Sequence, residues 1–139
     1  MDETIVSHAA RDYERDFVGW TESQASILRR MPAGTFGLDT ENLAEEIETL
    51  GRSELREASS LLRQMLVHLI KVAVSPNSEA VNHRRDEILT FHGDAVIACT
   101  SGIKQRIDLQ TIWRLAAGNA RQKLEERGAS FPTCLPYVQ

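Results

Sequence analysis

Along most of this chain apolar side chains return every three or four positions, the rhythm of helices that each turn one face inward. The first stretch reads Tyr13, Phe17, Trp20, Gln24, Ile27/Leu28 and Met31, with Arg11, Glu14, Arg15, Glu22 and Arg29 on the other side. Pro32, Gly34 and Gly37 end it. Asp39 or Thr40 can cap the next run, whose stripe is Leu43, Ile47 and Leu50, a skip at Glu54, then Ala58, Leu61, Met65, Leu69 and Val72. A neighbouring row (Leu55, Leu62, Leu66, Ile70) widens that face. Gly51 falls inside the run and Ser53 could cap a restart, so the expectation is two helices with a small bend. Pro76 closes the run by pushing Ser75 out of helical geometry.

A third stripe carries Val81, Arg85, Ile88, His92, Ala95/Val96 and Cys99. A last long one carries Ile103, Ile107, Ile112/Trp113, Ala116/Ala117, Ala120 and Leu124, with Gly128 where a left-handed cap is expected. Strand alternation is all but absent. The pattern predicts one all-α domain over residues 1–139, a bundle of four to five helices. Residues 1–10 are expected as a loose N-terminus and residues 129–139 as an extended strap packed on the bundle. The first two segments should form an antiparallel hairpin around Tyr13, Phe17, Trp20, Leu43, Ile47 and Leu50, with Trp20, Ile47, Leu50 and Trp113 as structural anchors.

Composition narrows the function more than the fold. Hydrophobic residues are 42% and charged residues 26% of 139, ordinary for a globular chain. Sixteen basic against twenty acidic residues give a net charge of −4, and Arg29-Arg30 and Arg84-Arg85 are isolated pairs rather than a basic face. Nucleic acid is not an expected partner. The most apolar run, "LLRQMLVHLIKVAV", is too short and too charged to span a membrane. The acidic, polar start has no secretory pattern, and two cysteines fit reduced thiols. The expected location is the cytoplasm.

The candidate chemistry lies in "NLAEEIETLG", where Asn42, Glu45, Thr49 and Arg52 share a helix face and Glu46 points to its flank. Carboxylates at this spacing can bind a divalent cation or supply a base. No Glu-x-x-His, HExxH or Cys-x-x-Cys accompanies them, so no cofactor and no metal are expected. The plainer reading is a solvated face with Glu48 paired to Arg52. His68 and His92 sit within apolar stripes, read as core histidines whose ring nitrogens need partners, with Gln64 available to His68. The indole N–H groups of Trp20 and Trp113 also need acceptors, and Glu46 is the expected one for Trp20.

The segments "DYERDFVGWTESQASILRR", "LDTENLAEEIETLGRSELREASSLLRQMLVHLIKV" and "FPTCLPY" resemble the bacterial domain-of-unknown-function family number twenty-nine. The resemblance covers about Tyr13 to Tyr137 and is most specific in "ENLAEEIETLGRSE". It implies a compact all-helical bacterial protein with no established activity, so no catalytic residue is carried over. Trp20, Asn42, Glu45, Glu46, Glu48, Gly51 and His68 match the family pattern. Val81 and Ala117 stand where aromatics are expected, which puts any aromatic pocket of relatives in doubt here.

Two functions are compatible with this reading. One is a non-enzymatic module that binds a protein partner or itself through a leftover apolar helix face, expected between Leu55 and Val72. The alternative is a small enzyme or a ligand- or metal-binding bundle using Asn42, Glu45, Glu46 and Glu48 with His68.

Overall fold

The computed structural model describes residues 12–77 and 79–128. The expected loose N-terminus (1–10) and strap (129–139) lie outside the described residues. The long elements are α1 (Phe17–Arg30), α2 (Thr40–Val74), α3 (Val81–Ala98) and α5 (Leu109–Glu125), with a short α4 (Ser101–Arg106) before the last. A single 3-10 turn, Thr35–Gly37, joins α1 to α2. Among the described residues there is no strand, and the chain is all-α.

Local chemistry sets the boundaries. Asp16 leaves helical geometry (φ −143°, ψ 75°), and its carboxylate accepts the Gly19 N–H at 3.0 Å, so α1 starts at Phe17, behind a helical turn over residues 12–15. Asp39 caps α2 by accepting the Asn42 N–H at 3.2 Å. Gly34 (φ 76°) and Gly37 (φ 73°) take the left-handed turns that the α1–α2 connection requires. The last apolar stripe is two helices, not one. Thr100 caps α4, and Asp108, accepting the Thr111 N–H at 3.0 Å, starts α5.

The chain gathers into two compact units. The first holds α1, α2 as far as Ala58, and α4; the second holds the rest of α2, α3 and α5. In the first unit α1 runs antiparallel to α2. Arg29 meets Glu41, Glu45 and Glu48 near the turn, and Thr21 faces Gly51 midway. Val18 packs with Ala58, Ile103 of α4 and Leu55 at the far end. In the second unit Val67 and Ile70 of α2 pack on Ala116, Ala117 and Ala120 of α5, with Leu66, Val74 and Trp113 beside them.

The predicted hairpin is present, but its buried seam is displaced by one residue. The buried positions are Val18, Thr21 and Ala25 on α1, and Ala44, Gly51 and Ala58 on α2. Small side chains allow the backbones to approach, and that approach leaves no room between them for rings or leucines. Tyr13 (51% exposed), Leu43 (39%) and Leu50 (55%) therefore end up beside the seam. Leu50 is not the buried anchor its spacing suggested; Trp20 and Ile47 are half-buried.

Gly51 does not interrupt α2, which is one helix of 35 residues. A β-carbon at position 51 would fall on the Thr21 hydroxyl. The glycine serves close approach, not a bend. In α3 Val81 and Ala95 are buried as the stripe predicts, but between them Arg84 is buried in place of Arg85, and His92 is exposed.

Candidate functional site

The glutamate row is occupied by arginines. Arg29 of α1 reaches across the hairpin and binds Glu48 through both terminal nitrogens (2.6 and 3.1 Å), with Glu41 at 3.3 Å and Glu45 at 3.7 Å. Arg52 joins Glu45 at 3.2 Å and Glu48 at 3.7 Å, the latter being the predicted pair four residues apart. The hydrogen bond from Arg29 holds the Glu48 carboxyl below the usual carboxylate range. Glu48 is thus fixed as an ionised acceptor, and a carboxylate moved away from neutrality in that direction is a poor general base.

The other residues of the predicted polar site are dispersed. Asn42 turns back to Asp39, its side-chain amide donating at 2.6 Å. Glu46 is exposed, and no described hydrogen bond or ion pair joins it to Trp20. The expected indole acceptor is therefore absent from that position. His68 belongs to the second unit. Its ring stacks on Phe91 (centroids 5.7 Å apart), and its Nδ1 lies 3.1 Å from Glu87 Oε2, an ionic approach too bent for an aligned hydrogen bond. Glu87 also faces His83 Nε2 at 3.4 Å. Burial lowers the His68 pKa and outweighs the opposing pull of Glu87. Gln64, expected to serve His68, instead donates to Ser60 at 3.2 Å. Trp113 is half-buried against the core cluster, yet its buried Nε1 has no hydrogen-bond partner.

One polar knot had no signature in the spacing. Arg106 of α4 donates to Asp16 at 3.1 Å and to Glu22 at 3.0 Å, linking positions 90 and 84 residues apart. Gly19 and Gly102 leave space for the Asp16 carboxylate, where a β-carbon at either would collide with it. A wide, open cleft beside it is lined by Glu14, Arg15, Asp16, Thr100, Ser101 and Gly102 among others. Among the described residues no group of three or more His, Cys, Asp or Glu could hold a metal ion, and no helix is long and apolar enough to cross a membrane.

The other notable surface of the first unit is apolar. Tyr13, Phe17 and Trp20 form an aromatic cluster, with Tyr13 edge-on to both partners at 5.3 and 4.9 Å and Phe17 stacked on Trp20 at 5.8 Å. Trp20 precedes the seam residue Thr21 by one position, as Leu43 precedes Ala44 and Leu50 precedes Gly51. A helix turns by about 100° per residue. In an antiparallel pair, equal offsets toward the N-terminus rotate both stripes to the same side of the hairpin. Arg29, Glu45 and Arg52, one position after the seam, fall on the opposite side. The hairpin thus has one ionic face and one aromatic and aliphatic face.

Comparison with known proteins agrees with this architecture. No curated protein matches the chain. An α-helical protein of unknown function from Rhodospirillum rubrum, whose crystal structure is known, superposes with a TM-score of 0.78 at 36% identity. The match covers 90% of this chain and 82% of the other. The family model described as "Domain of unknown function DUF29" matches residues 13–139. With that span covering nearly all of the described helices, the chain belongs to the DUF29 family, for which no activity is established.

Proposed function

We propose that this chain is a non-enzymatic interaction module, and that it associates with a second copy of itself through the apolar face of the α1–α2 hairpin. The observation that carries this reading is the exposure of Tyr13 (51%), Ile27 (43%) and Leu50 (55%) on the side that also holds Trp20 and Ile47. Exposed apolar groups that fall together mark a surface used in association. Two antiparallel helices with similar stripes suit a twofold arrangement, in which the same patch meets itself. The face expected between Leu55 and Val72 is a weaker candidate, since Ala58, Val67 and Ile70 are buried. We further propose a cytoplasmic location, since two cysteines in 139 residues fit a reducing compartment.

Light scattering over a concentration series tests the proposal. The wild-type chain is expected to approach twice the monomer mass, and Leu50→Glu to stay monomeric with unchanged helicity. A wild-type chain that remains monomeric to ~1 mM, a dissociation free energy of only about 4 kcal/mol, would refute self-association. So would a Leu50→Glu variant that dimerises like wild type.

A further inference from the structure

The charged side chains buried among the described residues of the second unit are both cations. Lys71 of α2 and Arg84 of α3 are each only 6% exposed. Arg84 Nη1 is shut away from solvent and has no hydrogen-bond partner. Lys71 is flanked electrostatically by Lys123, Arg84 and Arg127, while Glu87 acts in the opposite sense more weakly than any of these. Glu87 is itself shared between His68 and His83. Burial and these like charges both push the Lys71 pKa down.

The helix ends resolve part of this excess but not all of it. Lys71 lies in the last turn of α2 and Lys123 in the last turn of α5, where the helix dipole presents about half a negative charge. Arg84 lies in the first turn of α3, which contains no acidic residue. The dipole is positive there and works against a cation. A guanidinium cannot relieve its burial by losing its proton, and a buried charge without a partner is costly. Its unpartnered N–H group, in the electrostatic reach of the Lys71 ammonium, is of the kind that pairs with the oxygens of a tetrahedral anion. Helix amino-termini favour the same kind of group.

From this arrangement we infer that the second unit holds a phosphate-group site, with buried Arg84 and Lys71 at its base and exposed Lys123 and Arg127 at its rim. The ligand is either free inorganic phosphate or the phosphate of a small phosphorylated molecule. Nothing in this site overlaps the α1–α2 face, so the two proposals stand or fall separately.

Calorimetric titration of the full chain with inorganic phosphate and with glycerol 3-phosphate, at ionic strength fixed with sodium chloride, tests it. One ligand per chain is expected, with Arg84→Met weakening the binding at least tenfold and Lys123→Met a few-fold. Lys104→Met, on the exposed surface of α4, should bind as wild type does. Tighter binding of glycerol 3-phosphate would identify a phosphorylated small molecule as the source, and the reverse order free phosphate. No saturable binding of either would overturn the proposal. Undiminished binding in Arg84→Met would overturn it too; should that variant fail to fold, undiminished binding in Lys123→Met decides against it equally.

Discussion

Asp16 shows how much one side chain can organise. It caps α1 through Gly19 and accepts from Arg106, which in turn donates to Glu22. Asp16→Ala should cost about 1–2 kcal/mol from the lost cap alone. Asp16→Asn keeps the cap acceptor and should cost less, an order that urea unfolding of the two variants can check; equal losses would deny the cap its role. His68 makes a prediction about pH. Its imidazole titrates below the ordinary value of 6.5 because burial disfavours the charged form. Below that value the unfolded chain takes up the proton more readily than the folded one, so stability present above it is lost as pH falls. His68→Gln should therefore lose less stability than wild type between about pH 7.5 and pH 5.5. Parallel losses in the two proteins would contradict this account.

The helices follow apolar spacing, whereas their mutual packing follows side-chain size. Val18, Thr21 and Ala25 of α1 are buried opposite the segment containing Ala44, Gly51 and Ala58. Thr21 is fully buried, with its hydroxyl donating to Val18 O at 2.6 Å. In a solvent-exposed helix, Gly→Ala would gain about 1 kcal/mol of propensity. At Gly51 the added methyl meets Thr21, and overpacking of about 1–3 kcal/mol opposes that gain. Gly51→Ala is expected to lower the unfolding midpoint, and Thr21→Ala in the same chain to recover part of the loss by double-mutant cycle. A Gly51→Ala variant more stable than wild type would mean that α1 and α2 are not in such close contact.

Across the chain, helical content, the hairpin and the buried face of α5 were all readable from periodicity. Ile112, Ala116, Ala117, Ala120 and Leu124 are buried as that pattern requires. The displaced seam was not readable, because two adjacent stripes on one helix both repeat at three and four. Scoring by hydrophobicity selects Trp20 and Leu50 over Thr21 and Gly51, while close packing prefers the smaller pair. The same ambiguity hid Arg84 in favour of Arg85 on α3. The glutamate row was legible as a charged face, but its principal partner, Arg29, comes from another helix, 19 residues before Glu48. If the apolar face pairs two copies, light scattering will show a dimer that Leu50→Glu abolishes.

Order along the chain was enough to specify which segments become helices and where most of them stop, because caps, breakers and a repeat of three to four act between near neighbours. Which flank of each helix lies against another depended on how near the backbones could come, a matter of side-chain volume on two elements at once. The same holds for the charges. Glu48 became a fixed acceptor, and Arg84 a buried cation without a partner, only when distant segments met and water was displaced.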